Sequence, residues 1–169
     1  LVQPAHAEKA LDGLREQLSR GESPTRMRSI AWEGLYDHDL AVLAEARDLE
    51  QIVFYKSIEG LEQIPPCQLT DAWIDYLRGL NKLELLVCAF LPVTDAGLER
   101  LQCRQDSLQE LGLLHTQVTD EGLKHLQAYQ RLERIGLQRT AVTDEGMKHL
   151  TKVPRLKRVC LQYTKVTDR

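Results

Sequence analysis

A chain of 169 residues that is 43% hydrophobic, 28% charged and only 5% aromatic is long enough for one compact domain. It must build its core from Leu, Ile and Val rather than from large aromatic anchors. The net charge of −3 hides an uneven distribution: residues 1–123 hold 11 Lys and Arg against 21 Asp and Glu, and residues 124–169 hold 11 against 4. An acidic body therefore carries a basic end, which favours an acidic partner and disfavours nucleic acid. No apolar run approaches the roughly 18 residues that span a bilayer, and no signal-peptide hydrophobic region is present. Cys67, Cys88, Cys103 and Cys160 form no CxxC pair and no zinc-type spacing with histidine. Neither a structural metal nor a disulfide framework is expected, and free thiols suit a cytoplasmic, reducing setting. Because the chain opens on Leu1 rather than Met, an upstream segment is expected to precede it, and that segment is where a targeting peptide would lie.

Leu11, Leu14 and Leu18 lie at helical spacing ahead of Gly21, so residues 1–26 read as an N-terminal helical cap. From residue 27 to 169 the chain reads as a solenoid of about six strands. Met27, Ile30 and Trp32 make a first set of the form LxxLxL. In residues 37–54, Leu40 and Leu43 form a helix face and Leu49, Ile52 and Phe54 a strand core. A Pro-containing insertion follows near residues 59–68, where Pro65-Pro66 forbids helix and breaks strand pairing.

The main signal comes next. Thr-Asp recurs at 70, 94, 119, 143 and 167, with periods of 24, 25, 24 and 24 residues, and such periods denote a stacked repeat. Each unit holds an inward-facing set: Leu83/Leu86/Cys88, Leu108/Leu111/Leu113, Leu132/Ile135/Leu137 and Leu156/Val159/Leu161. The spacing predicts parallel strands at 28–32, 51–54, 84–88, 109–113, 133–137 and 157–161. Val-Thr-Asp-x-Gly-Leu reads as a turn into a short helix, with Thr119 and Thr143 as N-caps. Asp71, Asp95, Asp120, Asp144 and Asp168 read as a helix-capping column rather than as calcium ligands. Leu123 with Leu126, and Met147 with Leu150, form the helix face over the strands. One strand and one helix cannot bury their apolar sides alone, so neighbouring units must share a core.

VTDEGLKHL followed by LERIGLQRT resembles the 24-residue leucine-rich repeats abundant in bacterial, particularly planctomycete, proteins, and is more distantly similar to the cysteine-containing repeats of F-box adaptors. The resemblance covers residues 69–169 and, less closely, 27–58. It implies an α/β, right-handed leucine-rich-repeat solenoid with parallel strands on the concave face and short helices on the convex face. It also implies a macromolecule-binding role, with no catalytic residue to carry over. One departure is evident: with Asn81 the single asparagine, the position that often carries an asparagine ladder holds Thr116, Thr140 and Thr164, and Ser57 and Leu91 upstream.

No GxGxxG, Walker, HExxH or GxSxG string occurs, so no cofactor is expected and the chain reads as non-enzymatic. His125 and His149 share a helix position but read as solvated rather than as a metal pair. The outward strand positions form three columns: Ser29, Gln51, Leu85, Glu110, Arg134 and Arg158; Ala31, Val53, Val87, Gly112, Gly136 and Cys160; and Glu33, Tyr55, Ala89, Leu114, Gln138 and Gln162. The expected partner-binding surface is Leu85, Val87, Ala89, Leu114, Arg134, Gln138, Arg158 and Gln162, an apolar patch beside a basic end. The reading is a protein-interaction module that binds along the strand face, its partner acidic toward the C-terminal end. The alternative is a structural or assembly subunit whose solenoid end another chain covers. Val166-Thr167-Asp168-Arg169 opens a further unit, so the last strand is expected to be an edge that continues, is covered or self-associates.

Overall fold

The computed structural model describes residues 5–31, 34–55, 68–101 and 107–167. Helix α1 spans Ala5–Ser19 and seats Leu11 and Leu14 in the core. Six strands follow: β1 Arg26–Ala31, β2 Gln51–Tyr55, β3 Leu85–Cys88, β4 Glu110–Gly112, β5 Arg134–Gly136 and β6 Arg158–Cys160. They form one parallel sheet in the order of the chain, as a stack of like units demands. Each strand crosses to the next through helix on one side: 3-10 helices Asp37–Glu45 and Asp71–Gly79, then α2 Asp95–Leu101, α3 Asp120–Leu123 continued as 3-10 helix Lys124–Ala128, and α4 Asp144–Leu150. Short α-helices are thus replaced by 3-10 turns in the two upstream units. These are the units without glycine at the fifth position of Val-Thr-Asp-x-Gly-Leu, which Asp39 and Trp73 fill. Trp73 is instead wholly buried, edge-on to Phe54 at 4.9 Å between ring centres.

The period-two pattern of the strands is realised as burial. Leu83, Leu86 and Cys88, Leu108, Leu111 and Leu113, and Leu132, Ile135 and Leu137 are all buried in one continuous core with Leu98, Leu123, Leu126 and Leu150. Leu156, Val159 and Leu161 in the last described unit are only half-buried, because they have a neighbour on one side.

The first strand departs from the expected register. Ile30 stands opposite Phe54 and Met27 opposite Ile52, with an irregularity between them. Two residues lie between Met27 and Ile30 and one between Ile52 and Phe54, so β1 carries an extra residue as a bulge. Consequently Arg26, not Ser29, faces Gln51, and Ala31 faces Tyr55 rather than Val53. Trp32, Glu33, Ser57, Cys67, Cys103, Asp168 and nearly all of the expected insertion lie outside the described residues. Gln68, at its end, makes a parallel bridge to Tyr36.

Candidate interaction surface

What fixes one unit to the next is a carboxylate. Among the described residues, the Asp of each motif accepts from the Thr of the next unit. Asp71 accepts from the Thr94 amide at 3.0 Å and its hydroxyl at 2.5 Å. Asp95 does the same for Thr119 (2.7 and 2.6 Å), Asp120 for Thr143 (2.8 and 2.7 Å) and Asp144 for Thr167 (2.8 and 2.7 Å). Asp37, ahead of the Thr-Asp series, holds Thr70 in the same way. In the units of the Thr-Asp series the cap is threonine: Thr70, Thr94, Thr119 and Thr143 accept from the amides of Ala72, Ala96, Glu121 and Glu145, whereas in the unit before them Asp39 accepts from the Tyr36 amide at 2.8 Å. Asp71, Asp95, Asp120 and Asp144 stand in the first turn of their helices, as expected, but each is tied by hydrogen bonds to the next unit rather than to a cap. A carboxylate at the helix start points along the stack, toward the next motif, where one backbone and one side-chain donor wait.

The glycine of the motif has its reason here too. A Cβ on Gly122 would sit inside contact distance of Asp95 Oδ1 and 3.1 Å from its Cγ, and Gly97 and Gly146 stand in the same relation to Asp71 and Asp120. Thr116, Thr140 and Thr164, in the asparagine position, donate instead within their own unit to the carbonyls of Leu113, Leu137 and Leu161 at 2.7–2.9 Å.

These staples hold the strand face. Its first outward column runs Gln51, Leu85, Glu110, Arg134, Arg158, and its second Val53, Val87, Gly112, Gly136, Cys160, in register. Leu85, Val87, Leu114 and Gln138 are half-buried, and Arg134, Arg158 and Gln162 are exposed. One expectation changes. Ala89 is buried (8% exposed), because β3 ends at Cys88 and the chain turns at Phe90, so outward alternation stops before it. The glycines do not leave bare backbone: Val87 lies 3.1 Å from where a Gly112 Cβ would be, and Gln138 Oε1 lies 2.9 Å from that of Gly136.

The charges also pair. Arg134 meets Glu110 at 2.6 Å and Lys157 meets Glu133 at 2.8 Å. The hydrogen bond from Lys157 holds the Glu133 carboxyl below its ordinary range. Arg158 makes no ion pair among the described residues. On the helix side, His149 Nδ1 contacts Gln127 Nε2 at 3.2 Å. Of the cysteines, Cys88 and Cys160 are free, and burial pushes the Cys88 thiol far up.

A further row, outside the three columns, lies beside this face. Phe90, His115, Arg139 and Tyr163 hold equivalent places just past β3 to β6, all with positive φ of 55–61°. Phe90 stacks on His115 at 5.0 Å, and the Arg139 guanidinium lies 5.1 Å from the centre of the Tyr163 ring. The amides of Phe90, His115 and Arg139 donate to the carbonyls of Leu114, Gln138 and Gln162 at 2.8–3.0 Å, carrying the sheet ladder past the strand ends. The only signal in the sequence was their shared offset from the strands.

Neither a protein-family model nor a curated protein sequence matches the chain. Solved structures do. An internalin from Listeria monocytogenes aligns with a TM-score of 0.52 at 15% identity, over 97% of this chain and 58% of the internalin. Actin-binding site 2 of leiomodin-1 aligns with a TM-score of 0.50 at 10% identity, over 91% of this chain and 78% of that one. The fold is a right-handed leucine-rich-repeat solenoid, with parallel strands on the concave face and short helices on the convex face. The chain spans little more than half the length of the internalin it matches.

Proposed function

We propose that this chain is a non-catalytic protein-interaction module that takes its partner along the concave strand face. The observation that carries the reading is the face itself: half-exposed Leu85, Val87 and Leu114 give way, across strands held in register, to exposed Arg158 and Gln162. Apolar area of that kind holds a partner, and a charge without a carboxylate of its own speeds encounter with an acidic one. Since Glu110 occupies Arg134, the steering charge falls mainly on Arg158. Leiomodin-1 site 2 is named for binding actin; what this chain shares with it is the fold. Affinity capture from the source cell with mass spectrometry tests the proposal, using wild type, Leu114→Arg, and a convex-face control carrying Lys124→Glu with Lys148→Glu. The partner should be lost with Leu114→Arg and kept by the control; the reverse pattern puts the site on the helices.

A second reading rests on the half-buried Leu156, Val159 and Leu161. A further repeat of the same chain, another chain or a second copy of this one would complete their burial, and the last two would make the protein an assembly subunit. In that case capture survives Leu114→Arg and fails when Val159 is changed to Lys.

A further inference from the structure

The row of Phe90, His115, Arg139 and Tyr163 places four non-glycine residues in the left-handed backbone region at equivalent points of successive units. Glycine adopts that region without steric cost, and asparagine or aspartate with little. None of these stands there, and the side chains gained in exchange are two large rings, an imidazole and a guanidinium. Only one of the four serves the core: Phe90 is half-buried and packs against it. His115 and Arg139 are exposed, and Tyr163 is 79% exposed. Side chains that add little burial in a conformation other residues meet more easily point to a role outside the fold.

The geometry points to the row as a docking strip for a partner segment in polyproline-II conformation that carries an apolar side chain and a carboxylate three residues apart. The inference rests on the strand face being the binding surface and adds what binds there. The row divides into two pairs. Phe90 with His115 offers ring surface, and Arg139 with Tyr163 offers a cation that makes no ion pair among the described residues, set against an aromatic face. Neighbouring strands lie about 4.8 Å apart, so the centres of the two pairs, two strands apart, are separated by roughly 9.6 Å. A polyproline-II chain rises about 3.1 Å per residue and returns to the same face every third residue, placing side chains i and i+3 about 9.3 Å apart on one side. A β-strand puts same-side residues at about 6.6 or 13 Å, and neither spacing matches that separation. The charge is complementary as well: the strip runs from an apolar end into the basic end of the molecule, where Arg158 also stands exposed.

The experiment is an amide-resolved NMR titration with capped synthetic peptides. The lead peptide is Phe-Pro-Pro-Glu, in both chain directions. It is compared with Phe-Pro-Glu, Phe-Pro-Pro-Pro-Glu, Phe-Pro-Pro-Gln and Ala-Pro-Pro-Glu. The protein variants are His115→Gly, Arg139→Gly and Tyr163→Gly, with Phe90 kept for its packing. One direction of the lead peptide should shift the amides of residues 90, 115, 139 and 163, and each altered peptide should bind about tenfold more weakly. Arg139→Gly should erase the difference between the Glu and Gln peptides, and His115→Gly should narrow that between Phe and Ala. All three glycine variants should melt at or above the wild-type temperature. Equal binding whatever the spacer, no binding by any peptide, or glycine variants that bind normally would overturn the inference. So would glycine variants that melt well below wild type, since the row would then serve the fold. If these variants leave partner capture intact while Leu114→Arg abolishes it, the strand-face reading stands and the docking strip alone is wrong.

Discussion

Alanine at Gly122 should destabilise the protein although it improves a helix. The new Cβ would collide with the Asp95 carboxylate, which is held by the Thr119 amide and hydroxyl at 2.7 and 2.6 Å. Moving it breaks two part-buried, charge-assisted bonds worth about 1.5 kcal/mol each at the lower end of their range. Alanine returns about 1 kcal/mol in helix propensity. The net loss is about 2 kcal/mol, or roughly 4–8 °C in Tm for a chain of this size. Gly13 is the control: it lies in α1 with nothing within 4 Å of its missing Cβ, so Gly13→Ala should gain up to about 1 kcal/mol. The decisive step is a cycle with Asp95→Ala. Once the carboxylate is gone, Gly122→Ala should turn from harmful to stabilising, with a coupling of about 3 kcal/mol. Thermal and urea melts of the four proteins measure it. If Gly122→Ala is neutral in wild type, or equally harmful with and without Asp95, the staple does not explain the glycine.

Three further outcomes follow from the same structure. Leu111→Ala and Ile135→Ala, at wholly or almost wholly buried sites, should each cost about 2–5 kcal/mol in urea melts, and a loss below about 1 kcal/mol would contradict their shared-core placement. Asp48 has its carboxyl held low by its hydrogen bond to Lys82, at 2.6 Å. A depressed acid contributes stability above its unfolded pKa of about 3.9 and loses it as pH falls through the folded value. The Tm advantage of wild type over Lys82→Gln should therefore be present at pH 7 and fade on acidification; an advantage that grows with acid would be wrong in sign. Iodoacetamide at pH 8, read by peptide mass mapping, should modify Cys160 and spare Cys88, whose thiol burial keeps protonated.

The solenoid was legible because its signal is repeated: one Leu-x-x-Leu-x-Leu set is ambiguous, but Leu111 over Ile135 over Val159 at a fixed period leaves little choice of register. Where the period breaks, the reading slipped. The extra residue in β1 could not be seen without its partner, since Met27, Ile30 and Trp32 satisfy the pattern equally well. A carboxylate beside a helix start is ordinarily a cap, and only the superposition of consecutive motifs shows the Thr amide and hydroxyl waiting one unit along from Asp71, Asp95, Asp120 and Asp144. Strand alternation extended one residue past Cys88 points Ala89 outward, but the strand ends before it. The row of Phe90, His115, Arg139 and Tyr163 escaped because its members share a backbone conformation, not a chemical type.

Binding along the concave face requires a partner to lie over the strands. Hydroxyl-radical footprinting of the chain, alone and with the partner recovered by affinity capture, reads this side chain by side chain. Leu85, Leu114, His115 and Tyr163 on the strand side are compared with His125, Met147 and His149 on the helices. Protection of the first group with the second unchanged is the expected result. Protection confined to the helices, or to Leu156 and Leu161 at the last unit, would contradict the concave-face assignment.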